Sequence, residues 1–131
     1  MAQHSIDPEN LPYEPSKLPR KRDITGPDFF ALDMRVGVIT AVEEFPEARK
    51  PAFKIDVDFG PVVGVLRSSA QITNYRADDL LGRSVVGAIN LGVRRVAGFE
   101  SQFLVLGGLA PDGTVQLLRP DVDLAPGAPV A

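Results

Sequence analysis

The chain has 131 residues, no cysteine and one histidine, His4, with 14 basic against 17 acidic side chains and a formal net charge of −3. Without cysteine there are no disulfides, thiolate metal sites or cysteine nucleophiles, and one histidine in a proline-rich tail leaves neither a histidine general base nor a multi-histidine metal site. No apolar run reaches the roughly 18 residues of a membrane-spanning helix, the N-terminus lacks the apolar core of a signal peptide, and a mildly acidic chain is no general nucleic-acid sponge; the expectation is a cytoplasmic protein without membrane insertion, carrying at most a local anion-binding patch.

Residues 1–27 hold Pro8, Pro12, Pro15, Pro19 and Pro27 among polar residues. Proline fixes φ and removes a backbone donor, so neither helix nor sheet propagates there, and a flexible or extended arm is expected. Its basic cluster, Lys17, Arg20, Lys21 and Arg22, reads either as a solvated tail or as an arm that touches a partner subunit or an anionic ligand. The domain body is then 28–131. It opens with a helical turn over Asp28–Met34, with Asp28 as cap, Pro27 as a stop before it, and Phe29, Phe30 and Leu32 plugging one end of the body.

Strand signals follow. Val36–Phe45 is the first strand, ended by Pro46. Ala52–Phe59 alternates, with Phe53, Ile55, Val57 and Phe59 on one face and Lys54, Asp56 and Asp58 on the other, the pattern of a half-buried strand. A Gly60-Pro61 turn returns the chain as Val62–Arg67. Ser69–Leu81 reads as a short helix closed by Gly82. Ser84–Leu91 is a fourth strand, the loop with Arg94 and Arg95 lies between Gly92 and Gly98, Gln102–Leu106 is a fifth strand, and Thr114–Leu118 a sixth after the Pro111–Gly113 turn. Asp121–Ala131 reads as an extended edge segment. Three strands, a short helix and two or more strands predict an all-β OB-fold Greek-key barrel with its helix between strands three and four and extra terminal segments.

Chemistry is sparse. Glu43 and Glu44 point to opposite strand faces and form no dyad. Asp56 and Asp58 share a face, which is either a cation site or a solvated strand surface. No Walker or dinucleotide glycine motif is present. Ser68, Ser69 and Ser101 have no activating base by motif. No catalytic residue, metal or cofactor is expected; the protein should bind, not catalyse. Arg67–Thr73 leaves strand three where an OB-fold presents its binding face, although its serines equally suit helix capping. Arg94 and Arg95 are either solvated loop charges or phosphate ligands, since a guanidinium fork matches phosphate oxygens. Tyr75 and Phe99 are the candidate stacking rings, and tryptophan is absent. Recognition of RNA would therefore rest on backbone and shape.

Ala31-Leu-Asp-Met-Arg-Val-Gly-Val-Ile, Leu80-Leu-Gly-Arg-Ser-Val-Val-Gly-Ala-Ile-Asn-Leu and Gly98-Phe-Glu-Ser resemble the tRNA-binding domain family, whose members are appended to methionyl- and phenylalanyl-tRNA synthetases or stand alone. Glu43-Glu-Phe-Pro-Glu-Ala-Arg-Lys-Pro-Ala-Phe-Lys-Ile, Asp58-Phe-Gly, Ser68-Ser-Ala-Gln-Ile-Thr, Arg94-Arg-Val-Ala-Gly-Phe and Leu104-Val-Leu-Gly-Gly are similar to its CsaA-like branch of secretion-related chaperones. Ser69-Ala70 replaces the wider family's Ser-Gly, and Gln102-Phe103-Leu104 replaces its Glu-Gly-Met; both lean toward that branch. The resemblance covers about 28–131. It implies an OB-fold homodimer whose terminal segments build the interface, binding unfolded or pre-export polypeptides, interacting with the translocation ATPase, and keeping the fold associated with tRNA. On the chaperone reading, Ile72, Val93, Val96 and Phe99 are the candidate peptide groove. On the alternative, a structural tRNA-binding protein, Arg67, Ser69, Gln71, Asn90, Arg94, Arg95, Ser101 and Gln102 form the patch. A third reading is a dimerisation or scaffold domain on which the arginines only confer solubility.

Overall fold

A computed structural model describes residues 13–131. Helix α1 (Gly26–Phe30) precedes the long strand β1 (Met34–Glu44), then β2 (Phe53–Asp58), helical turn α2 (Gly60–Val63), β3 (Val65–Ala70), turn α3 (Ala77–Leu80), and β4 (Ser84–Ala88). A hairpin of β5 (Arg94–Val96) and β6 (Phe99–Ser101) follows, then β7 (Leu104–Val105) and a second hairpin, β8 (Gly107–Leu109) with β9 (Val115–Leu117). The main sheet runs β3-β2-β1-β4-β7, antiparallel throughout. β1 reaches both neighbours because its register with β2 shifts between Ile39 and Ala41, leaving Thr40 as the extra residue. A bulge of this kind bends a strand and increases its twist, which lets the N-terminal half face β4 and the C-terminal half face β2.

The barrel closes between β3 and the stretch joining β6 to β7, through one backbone hydrogen bond and several made by side chains. Gln102 N–H donates to the Arg67 carbonyl at 2.7 Å, and the Arg67 N–H donates to Gln102 Oε1 at 2.9 Å. Ser69 N–H donates to Ser101 Oγ at 3.1 Å, and Ser68 Oγ donates to the Phe103 carbonyl at 2.9 Å. This is the expected OB-fold barrel, with Gln102 and Ser101 standing in for missing ladder partners.

Alternation puts Ile55, Val57 and Phe59 inside, with Ile39, Ile72, Leu80, Val85 and Phe103 around them. Phe59 and Phe103 meet edge to face, centroids 5.0 Å apart. The glycines at 37 and 87 make room for that pair: a Cβ at Gly37 would lie 2.5 Å from Val57 Cγ1, and one at Gly87 2.7 Å from Phe59 Cζ. The β8–β9 hairpin adds Val115 and Leu117 to the core. Asn74 holds it as a surrogate peptide group, donating to the Val115 carbonyl at 2.9 Å and accepting from Val115 N–H at 3.3 Å. Tyr75 Oη accepts from Leu117 N–H at 3.0 Å. The expected C-terminal edge segment is present: Gly127 N–H donates to the Val36 carbonyl, Val36 N–H to Ala128, and Val130 N–H to Met34.

Several local expectations are corrected. α1 starts earlier and its cap is Thr25, whose Oγ1 accepts from Asp28 N–H while Asp28 Oδ2 accepts from Thr25 N–H. Pro27 sits inside the first turn, where its missing N–H costs nothing. Phe29 and Phe30 are 38% and 69% exposed and do not plug the barrel. Val62 and Val63 belong to α2, and the third strand runs from Val65 to Ala70. Helix within 69–81 is limited to Ala77–Leu80. The supposed loop around Arg94 and Arg95 is a hairpin. His4, Pro8 and Pro12 lie outside the described residues.

Candidate binding face

Two features meet on the outer surface of β1–β3. The first is the β5–β6 hairpin, paired Arg94 to Ser101, Arg95 to Glu100 and Val96 to Phe99. Its two-residue turn has Ala97 at φ 47° and Gly98 at φ 80°, the mirror-type turn whose twist suits a hairpin. The second is the wet face of β2, where Lys54 and Asp56 stand beside Ser69 and Arg67 of β3.

Phe99 reaches from the hairpin onto this face and meets Phe45, at the end of β1, with centroids 5.5 Å apart. Lys54 Nζ lies 4.7 Å from the Phe45 ring centroid and 5.3 Å from that of Phe99; the Arg67 guanidinium lies 4.9 Å from Phe99. A cation over a ring face contributes about 0.5–1 kcal/mol at an exposed site. Arg67 is also ion-paired, at 2.8 Å to Asp56 and 3.7 Å to Glu43. The face is thus an aromatic pair under two cations, one of them matched by two carboxylates. Beside it, Phe45, Phe53, Ala52, Pro46, Pro51 and Ala48 make the apolar lining of an open groove of about 430 Å³, with Glu44, Arg49 and Thr73 completing it.

The structure sorts the sequence candidates. Arg67, Ser69, Phe99, Ser101 and Gln102 converge on the seam between β3 and β6, and Arg94, Arg95, Val93 and Val96 lie on or beside the hairpin. Ser101 is buried, with its hydroxyl in the closure, and Gln102 spends its carbonyl oxygen on Arg67 N–H. Asn90 stands apart: its Oδ1 accepts from Asp33 N–H and its Nδ2 donates to the Ala31 carbonyl, both at 2.8 Å. Ile72 is a core residue, 2% exposed. Gln71 is half-buried just past β3. Arg95 pairs with Glu100 at 3.2 Å, whereas Arg94 is exposed and makes no ion pair with a described residue. Tyr75 is packed on the core and holds Leu117, so it is no free ring. Lys54, Phe45 and Glu43 were missed as site residues, and Asp56 was weighed only with Asp58 as a cation site. The alternation placed Lys54 and Asp56 on the wet face, but only strand register sets them beside Arg67 and Phe99.

Asp56 is engaged by Arg67, and Asp58 Oδ1 accepts from Gly60 N–H at 2.8 Å. Among the described residues no cluster of three His, Asp or Glu side chains is placed to hold a metal. Displaced titrations lie elsewhere. A hydrogen bond to Asp33 raises Arg35, and hydrogen bonds from Thr114 lower Asp112. No helix among the described residues is long and apolar enough to cross a membrane.

The family model "Putative tRNA binding domain" matches residues 34–129. A crystal structure of CsaA chaperone protein from Picrophilus torridus is 44% identical, with a TM-score of 0.79, covering 83% of this chain and all of that one. That of chaperone CsaA from Bacillus anthracis is also 44% identical, with a TM-score of 0.80, covering 84% of this chain and all of that one. Methionine–tRNA ligase of Porphyromonas gingivalis is 34% identical over 113 residues, 86% of this chain but only 16% of the ligase.

Ala97 holds a left-handed conformation at the hairpin tip, which costs an L-residue with a Cβ roughly 1–2 kcal/mol. Asparagine tolerates it better. Ala97→Asn should raise the stability of the protein by about 0.5–1 kcal/mol, seen as a higher urea midpoint at unchanged slope; an unchanged or lower midpoint contradicts the assignment of strain.

Proposed function

The chain belongs to the CsaA-like branch of the tRNA-binding domain family, and we propose that it is a non-catalytic export chaperone that holds unfolded or pre-export polypeptides in the cytoplasm before they reach the translocation ATPase. The observation that carries this reading is the state of the binding face. Phe99, the ring best placed to stack a base, already lies against Lys54 and Arg67, and Arg67 is matched by Asp56 and Glu43. Such a face offers apolar surface and paired charge, not a phosphate track. The neighbouring groove, with its phenylalanine, proline and alanine lining, suits client side chains, because hydrophobic burial gives affinity without demanding a sequence. Phe99, Val93 and Val96 remain in this reading as peptide contacts. The likeness to two CsaA chaperone structures supports it.

The protein is further proposed to act as a homodimer, with the boundary between arm and body lying before Thr25, since α1 and its cap run across the expected division at 27/28. Ile24, Phe29, Phe30, Val122 and Leu124 are exposed apolar residues of the two terminal segments. Together they are the apolar surface that the proposed dimer would cover.

Arg94 favours a second reading in which the hairpin also contacts tRNA backbone, because it is an exposed guanidinium without an ion-pair partner among the described residues. One surface can serve both ligands.

Three outcomes test these proposals. At stoichiometric amounts the protein should suppress light scattering by a chemically denatured client on dilution; no suppression ends the chaperone reading. Multi-angle scattering at micromolar concentration should give twice the 14.1 kDa chain mass, and Phe30→Asp should shift the mass toward one chain; a monomeric wild type refutes the dimer. Filter binding of tRNA should fall steeply with salt, since each phosphate contact releases counterions, and Arg94→Glu/Arg95→Glu should abolish it. Absence of binding at low salt removes the RNA reading, and a double variant unchanged in both ligand activities supports a scaffold.

A further inference from the structure

β1, β2 and β4 are paired on both sides and β3 is sealed to the β6–β7 stretch, whereas β5 is paired on one side only, with β6. Across a two-residue turn the closing pair, here Val96 and Phe99, exchanges hydrogen bonds, and the pairs then alternate along the ladder. Arg94 and Ser101 are therefore the next bonded pair, and Arg95 and Glu100 form an unbonded one. The N–H and C=O of Arg95 point away from β6, as do those of Val93 two residues earlier. Neither residue's backbone bonds to another described element. Val93 is 61% exposed, and Arg94 and Arg95 are exposed as well.

We propose that the free edge of β5 receives an extended polypeptide as an added antiparallel strand, through the backbone groups of Val93 and Arg95, with an acidic side chain of the guest opposite Arg94. The proposal rests on the polypeptide-binding reading above and gives it a mechanism that is indifferent to client sequence. Main-chain hydrogen bonds supply affinity in such strand addition, and alternate side chains supply selectivity. Charge selects the occupant. A second copy pairing by the same edge would set arginines against arginines, and like charges directly opposed destabilise a strand pair. An RNA backbone presents mainly phosphate acceptors, its one donor being the ribose 2′-hydroxyl, and does not match the alternating donors and acceptors of this row. An extended peptide alternates donors with acceptors and can bring the missing carboxylate.

The test uses a fluorescein-labelled eight-residue peptide alternating threonine and glutamate, and two versions of it N-methylated at alternate residues along one edge or the other. Fluorescence anisotropy should show binding weakened at least about tenfold by methylation of one edge only. Amide hydrogen exchange at Val93 and Arg95 should slow when the parent peptide binds. Arg95→Pro removes the outward donor without touching the ladder to β6, so it should lose binding while Arg95→Ala keeps it. Equal binding of all three peptides overturns the proposal, as does a folded Arg95→Pro variant that binds like Arg95→Ala. So does protection of these amides by a second copy alone, read as exchange that slows with protein concentration without peptide. If Arg95→Pro still suppresses client aggregation and binds peptide, only the edge is refuted; if the wild type does neither, the chaperone reading itself fails.

Discussion

Everything on the binding face depends on how the barrel is sealed. A barrel abolishes sheet edges only if its first and last strands meet, and here β3 meets the β6–β7 stretch mostly through side chains. Gln102 answers Arg67, Ser101 answers Ser69, and Ser68 answers the Phe103 carbonyl. A buried donor or acceptor left without a partner costs about 1–3 kcal/mol, so each is worth keeping. The seal also fixes position. Because Gln102 and Ser101 are bound to β3, the hairpin that ends at Ser101 cannot swing away, and Phe99 is delivered onto Lys54 and Arg67. Residues that sequence reasoning assigned to ligand recognition are therefore the clamp that makes a recognition surface possible.

Much of the fold was legible. The alternation from Phe53 to Phe59, the prolines and glycines that bound the strands, and the Pro111–Gly113 turn each carry a local physical meaning that survives folding. The failures are also local. Val62 and Val63 are β-branched and read as strand, yet Gly60 and Pro61 start a helical turn and Gly64, at φ 79°, ends it. The hairpin at Arg94 was hidden because its turn is Ala97-Gly98, without the asparagine that usually announces positive φ. The N-terminal helix was misplaced because Pro27 looked like a barrier when it was a first-turn residue.

The site was less legible, for a different reason. Alternation says which side of a strand a residue occupies, but not which residue of the next strand stands beside it. Lys54 over two rings and Arg67 between Asp56 and Glu43 are consequences of register. Ser101 and Asn90 look like exposed polar readers in the sequence because nothing there reveals a backbone group waiting for them. The resemblance to the family located the right stretches; the roles within them had to come from hydrogen-bond partners.

Asn90 joins residues 57 and 59 positions away in the chain with one amide. Its oxygen must accept from Asp33 and its nitrogen must donate to Ala31, so the group is directional. A carboxylate of the same shape would set negative charge against a carbonyl, and an alkyl chain of the same size would satisfy neither end. The exit of the N-terminal helix and the root of the hairpin are thereby keyed to each other by polarity and not by volume, a specification that close packing alone has no means to write.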